Sequence, residues 1–392
     1  MRLLRPLSRR LSTEQAGKHV PFGETGAGFY TEKTKGCFDV INRCAQPALA
    51  AVDRALAARK QRGAVGTPFQ IADFGTADGG TSIPLLTKLI RAVRQAEPKS
   101  PIVVLYEDQD QNDWASLFKL TQGKLEHGPE TYLDGSIDDV YVLASGTSFY
   151  QKCFAPGSID FAFCATAMHW LTNVPTQIPD ALHSACTADA AAKAAFGAQA
   201  ARDWEHILLN RAHELAPGGQ AVIANFAVDD ANQFLGTSGR VAASMHGTFS
   251  ELWLEVAGAE IHRATNFCNE YRSLEACAAP FDASGSAVTA SGLRLLSAET
   301  ALVPCPYHLE WVSGEGPYAN DPAGHAAHFV PTTRTWSNST FESGATSMGV
   351  APEAAAEMAD EMFHKYVERV AKAPQDHAMD YVHSYLHIER AA

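Results

Sequence analysis

The chain has 392 residues, 46% of them hydrophobic, and carries 31 Lys and Arg against 44 Asp and Glu for a net charge of −13. That length and apolar share support a sizeable core, built as one elaborated domain or as a domain plus a cap. The acidic balance argues against nucleic acid or an anionic membrane as a partner, and no apolar run approaches the ~18 residues needed to span a bilayer. Eight cysteines without a C-x-x-C pair, several inside apolar runs, indicate a reduced compartment and no structural zinc.

The chain opens with MRLLRPLSRRLS, four arginines ahead of the first acid, Glu14. Such a start suits an organelle transit peptide, although Pro6 interrupts an amphipathic helix. The alternative is a tail on a cytoplasmic protein. Residues 13–60 read as a glycine-rich loop, GETGAGFY, and then a helix from about residue 31 to 62. Gly23, Gly26 and Gly28 beside two aromatics fit a lid over a ligand, or equally an ordinary surface loop.

Residues 71–80, IADFGTADGG, follow Gly66 and Pro68 and precede the helical pattern SIPLLTKLIRAVRQ. A strand, a tight turn and a helix start in this order build nucleotide sites in α/β proteins. The glycines at 75, 79 and 80 do not make G-x-G-x-x-G, and no G-x-x-x-x-G-K-[ST] is present. The turn therefore suits a nucleoside ligand without phosphate, and S-adenosylmethionine (SAM) fits that description. Residues 101–108, PIVVLYED, form a continuous apolar run ending in two acids, the pattern of a buried parallel strand. An acid there can accept both ribose hydroxyls; Asp108 is favoured over Glu107.

Residues 113–120 have helical spacing, 141–144 form a short strand, and SFYQKCF reads as a turn opening a short helix. The segment 158–165, SIDFAFCA, is a central strand that ends in TAMHWLTNVP. An alanine-rich helix over 188–215 is stopped by Pro217-Gly218-Gly219 before the strand QAVIANFA. Beyond 228, helices at 247–257 and 274–279 alternate with strands at 293–302 and 307–312 and with loops. Residues 352–372 and 377–387 read as helices. The alternation up to 225 predicts a mostly parallel sheet covered on both faces, with the later half supplying a cap and the last strands.

Taken in order, these motifs resemble the SABATH methyltransferases, which pass a methyl group from SAM to small-molecule carboxylates and sometimes to ring nitrogens. Matching blocks run from Phe29 to about Glu310, the most specific being SFYQKCFAPGSIDFAFCATAMHWLTNVP and VVLYEDQDQNDWASLF. The resemblance implies an α/β fold: a Rossmann-like class I methyltransferase sheet, mostly parallel, with a largely helical cap. Its division would be a tail (1–20), a SAM-binding core with an N-terminal lid (21–228), and a substrate region with the last strands and C-terminal helices (229–392).

By position, the resemblance puts Tyr30 and Thr34 beside the cofactor, Asp73 and Gly75 in the D-x-G turn, and Asp108 on the ribose. Ser148 and Phe149 match the adenine-side pair, and Gln109 and Ala165 complete the cofactor set. Asp78 would lie near the cofactor's amino group, or be an exposed turn residue. His169 and Trp170 match the pair facing the acceptor carboxylate; without their block they would read as core aromatics. Cys37 stands at the position of the carboxylate-binding Gln and Thr166 at that of a pocket Tyr, which leaves the acceptor's identity open.

A carboxylate, with an ordinary pKa of about 4.3, is an ionised nucleophile at neutral pH and needs no base. Positioning alone can contribute about 7–11 kcal/mol, so no catalytic dyad is required. His169 would serve as base only for a nitrogen acceptor. Weaker candidates are His325 and His328, spaced i, i+3 in a glycine-rich loop without a third metal ligand. Trp204, Trp253, Trp311 and Trp336 read as core or pocket wall, and Ser145 lacks the G-x-S-x-G elbow. The expectation is a metal-free SAM-dependent O-methyltransferase of a small carboxylic acid, cytoplasmic and, by the resemblance, a possible homodimer. The alternatives are an N- or S-methyltransferase and a non-catalytic SAM-binding protein.

Overall fold

A computed structural model describes residues 21–282 and 285–392, so the arginine-rich start lies outside the described residues. Where one long helix is expected, the chain forms α1 (Phe29–Lys33), α2 (Lys35–Arg43) and α3 (Ala45–Gln61). The first break falls at Thr34, whose φ of −111° and ψ of 56° leave the helical region. Its hydroxyl turns back onto the Tyr30 carbonyl at 2.6 Å.

One half of the sheet is built from β1 (Phe69–Phe74), α4 (Ile83–Ala96), β2 (Ile102–Glu107), α5 (Trp114–Thr121) and β3 (Val140–Ser145). The other half begins with β4 (Ile159–Ala165), α6 (Ala190–Glu214) and β5 (Leu215–Phe226). The cap and the last strands run through α7 (Met245–Ala264), α8 (Leu274–Asp282), α9 (Ala287–Ala290), β6 (Leu293–Val303), α10 (Pro306–Ser313), α11 (Pro322–Ser347), α12 (Pro352–Lys372) and β7 (Tyr381–Arg390). The strand order is β3-β2-β1-β4-β5-β7-β6. Among the described strands β7 alone runs against the direction of the other six. The order reverses between β1 and β4, and the crevice beyond their carboxyl ends is where such sheets bind ligands.

Alternation along β1 explains the two cores. Phe69 and Ile71 join α3 and α4 on one face, while Ala72 and Phe74 join α6 on the other. On α3 the buried set is Ala45, Ala48, Ala51, Val52, Ala55 and Arg59, the stripe of a helix lying on a sheet.

Several expectations are corrected. Residues 307–312 are helical, within α10: Pro306 starts the turn, Tyr307 and His308 face in, and Leu309 and Val312 face solvent. The expected helix at 377–387 is instead β7, buried on both faces between β5 and β6. The segment read as loop after 313 contains α11, so His325 and His328 sit on a helix. SFYQKCF makes no helix, because its carbonyls are taken by α6 side chains. Arg211 Nη1 donates to Phe149 O (2.9 Å), Asn210 Nδ2 to Tyr150 O (2.9 Å) and Arg211 Nη2 to Gln151 O (3.0 Å).

Candidate active site

The glycine bend after β1 is held from both sides. The buried Asp73 accepts from Thr76 Oγ1 (3.1 Å) and Ser82 Oγ (2.6 Å), and burial lifts its carboxyl to about 7. Gly75 has φ +68°, and a Cβ there would fall 2.1 Å from Ala167 Cβ. Only glycine lets the bend lie against the segment that leads to His169. The end of β2 supplies the other side. The Glu107 carbonyl accepts from Gly75 N (2.9 Å) and Thr76 N (3.1 Å). Asp108 accepts from Ala77 N (2.8 Å) and Gln109 N (2.7 Å) and is raised by burial to about 6. Asn112 Nδ2 closes the bend on Ala77 O at 2.6 Å.

A lid is docked on this bend by carboxylates. Asp78 is buried, not an exposed turn residue, and accepts from Thr31 N (2.8 Å) and Thr31 Oγ1 (2.6 Å) in α1. Asp113 caps α5 through Ser116 N and also accepts from Gly26 N at 2.9 and 3.0 Å. Gly28 N donates to Ser116 Oγ (2.8 Å). The NDW stretch of the second motif block thus ties the bend and the lid together. Between them lies a cavity of about 340 Å³ whose lining includes Tyr30, Asp78, Asp110, Asn112 and Asp113.

On the far side of the bend, the backbone around His169 and Trp170 is clamped at successive carbonyls. Arg272 Nη1 donates to Met168 O (3.0 Å), Glu270 N to His169 O (3.0 Å), and the Tyr150 hydroxyl to Trp170 O. Tyr150 belongs to SFY, so the first motif block is a single mechanical unit. Thr166 has φ +64°, a strained conformation for a β-branched residue. Its hydroxyl meets His383 Nε2 at 3.0 Å. Strain of this kind is held only where the surroundings over-determine it.

Six expected residues meet in one small cavity of about 30 Å³: Tyr30, Thr34, Cys37, Thr166, His169 and Trp170. The Tyr30 hydroxyl lies 3.6 Å from Cys37 Sγ, and burial pushes that thiol up to about 11. Phe226, Met379 and Tyr381 complete the wall with Trp336, which the sequence marks only as core or wall. Phe226 could have been found as the residue ending a central strand; Met379 and Tyr381 were hidden by the helical reading of their segment. Asp73, Gly75, Asp108 and Gln109 gather at the bend, and Ala165 ends β4 beside it. Ser148 and Phe149 follow β3 and line neither cavity.

These residues fit SAM. Asp108 is half-buried and its two bonds leave lone pairs for ribose hydroxyls. Asn112 Oδ1 is buried with no partner among the described residues, and the acidic lining suits a ligand that carries positive charge.

A sheet in this order, with one antiparallel strand and a glycine bend at its switch point, defines the Rossmann-like fold of class I methyltransferases. A family model described as SAM dependent carboxyl methyltransferase matches residues 30–258, more than half of the chain, and the protein belongs to that family. The chain is 32% identical over 171 residues to loganic acid O-methyltransferase of Catharanthus roseus, covering 40% of this chain and 42% of that protein. It is 25% identical over 200 residues to indole-3-acetate O-methyltransferase 1 of Oryza sativa subsp. japonica, covering 44% and 48%. The chain thus spans less than half the length of these curated relatives. A solved structure described as loganic acid methyltransferase with SAH shares the fold, with a TM-score of 0.69 at 20% identity over 95% of this chain and 99% of that one.

Proposed function

We propose that the protein methylates the carboxylate of a small-molecule acid. The observation that carries this reading is the meeting of lid and strand end in one cavity. Tyr30, Thr34 and Cys37 come from the lid side, Thr166, His169 and Trp170 follow β4, and the bend touches that segment at Gly75 and Ala167. When bound, SAM supplies a methyl carbon already activated on a sulfonium, so transfer to a carboxylate oxygen breaks one carbon–sulfur bond, makes one carbon–oxygen bond and moves no proton.

The chain's own task is to hold and to exclude water. Asp108, Gln109 and Gly75 would receive the nucleoside and Asp78 keeps α1 closed over it, while Ser148 and Phe149 would border the adenine. Trp170 and His169 would receive the acceptor. The relatives' names point to a carboxylate, since they act on loganic acid, indole-3-acetate and benzoic or salicylic acid.

The test is SAM turnover on loganate, indole-3-acetate, benzoate and salicylate, each beside its primary amide. Methyl ester formed from at least one acid and no product from any amide is expected. SAM binding with no turnover on any carboxylate would refute the reading. The proposal extends to a cytoplasmic homodimer acting apart from nucleic acid and membranes. The charge of −13 supports the last point, and among the described residues no helix is long and apolar enough to cross a membrane. Light scattering of the purified chain checks the dimer, which rests on the family resemblance.

A further inference from the structure

Two walls of the acceptor cavity carry hydrogen-bond donors with no partner among the described residues. They are the indole Nε1 of Trp336, from α11, and the hydroxyl of Tyr381, where β7 begins. Both side chains are more than nine-tenths buried, Trp336 at 8% exposure and Tyr381 at 1%. A donor buried without a partner carries its full desolvation penalty, and native interiors rarely keep one without a use. Here two line the same cavity.

The other polar groups of that cavity are engaged. Thr34 donates to Tyr30 O, the Tyr30 hydroxyl meets Cys37 Sγ, and Thr166 meets His383. The Tyr381 phenol is also held in place by a specific clearance. A Cβ on Gly36 would lie 2.2 Å from the Tyr381 ring and 2.5 Å from its hydroxyl oxygen. Glycine in α2 therefore lets the phenol head reach the backbone next to Cys37. Thr332 stands one turn before Trp336 on α11, but neither its hydroxyl nor that of Tyr381 has a hydrogen-bond partner among the described residues, and burial raises the Tyr381 phenol well above its ordinary range.

Each of the two groups has a hydrogen to donate, and the indole can do nothing else, which selects the chemistry of what meets them. A carboxylate offers only acceptors, two oxygens with about four lone-pair sites. One oxygen can be held while the other keeps a lone pair for the methyl carbon. A neutral amine or thiolate has no second atom to offer, since its nucleophilic lone pair must face the methyl group. Among the described residues no Lys or Arg lines this cavity, so neutral donors do the holding.

Resting on the carboxylate reading above, we infer that Trp336 and Tyr381 are acceptor-binding donors that grip the carboxylate of the methyl acceptor. Tyr381→Phe removes one hydroxyl and nothing else, and Trp336→Phe removes the indole N–H. Calorimetry with benzoate and the other three carboxylates of the panel, in the presence of S-adenosylhomocysteine, reads affinity without turnover. Each variant is expected to raise the carboxylate Kd about tenfold, the effect of one hydrogen bond to a charged group, with S-adenosylhomocysteine affinity unchanged. Free Tyr381→Phe is expected to melt at or above the wild-type temperature, because it loses a donor that is unmet in the free protein.

A structural hydroxyl would instead lower the melting temperature, and that result would overturn the inference. So would an unchanged carboxylate Kd in both variants of a protein whose wild type binds the acids. A wild type that binds none of the acids would remove the carboxylate reading itself, and this inference with it.

Discussion

Asp78 is the joint between the lid and the cofactor bend, and replacing it with Asn tests whether that joint closes the site. The carboxylate is 3% exposed and takes two bonds from one lid residue, Thr31 N at 2.8 Å and Thr31 Oγ1 at 2.6 Å. Bonds to a charged group contribute about 1.5–3 kcal/mol each, and a neutral amide oxygen can replace one of them at about 1 kcal/mol. Asp78→Asn therefore weakens lid closure by about 2–5 kcal/mol, or about 30- to 5,000-fold in the opening equilibrium. Hydrogen exchange at the amides of Glu32 and Thr34, which bond within α1 to Gly28 O and Tyr30 O, should accelerate by that factor. Exchange in β1 and β4 should not change, since those strands do not depend on the lid. SAM affinity falls once the lid's closing margin is used up. Wild-type exchange rates throughout α1 in Asp78→Asn would refute the assignment of Asp78 as the lid's anchor.

Gly75→Ala places a methyl 2.1 Å from Ala167 Cβ at φ +68°, so it should cost about 2–5 kcal/mol from strain and overpacking together; an unchanged urea midpoint would contradict this. Tyr150→Phe removes the hydroxyl that donates to the Trp170 carbonyl, at about 1–2 kcal/mol of stability, and should raise the acceptor KM while leaving SAM affinity intact in calorimetry. SAM affinity should fall as pH drops through about 6, because Asp108 gains a proton and loses an acceptor site; Asp108→Asn should flatten that profile. His383 has the opposite sign in stability. Burial lowers it from 6.5 to about 3, so its contribution is complete above 6.5 and is lost as pH falls through 3, visible as acid unfolding that shifts to lower pH in His383→Gln.

What local chemistry writes into this chain is the sheet's central half and its cofactor end. Residues 101–108 read as a strand because a parallel strand buried on both faces must be apolar throughout, and β2 is one. The glycine spacing of 71–80 excludes phosphate cradles without any tertiary information, and the place of Asp108 at a strand's carboxyl end marks it as the favoured candidate for the ribose. The family motifs were legible as strings, but their mechanical meaning was not. Tyr150 acts on Trp170 and Asn112 on Ala77, 20 and 35 residues apart.

Tertiary packing decided the rest. The six residues 307–312, four of them apolar or aromatic, suit a strand or a helix equally, and it is the burial of Tyr307 and His308 beneath an exposed Leu309 and Val312 that makes them α10. Histidines at 383 and 387 argue locally against a buried strand. They are stable there because Thr166 and Gln220, 217 and 167 residues away, receive their ring nitrogens. The acceptor cavity is closed by α11 and β7 from the far end of the chain, so its donors, Trp336 and Tyr381, acquire a shared target only when the fold brings them opposite α2. Backbone preference and hydrophobic period act over a few residues and are readable in order. The pairing of a buried donor with what it must hold is a property of three-dimensional proximity, and only the folded chain supplies it.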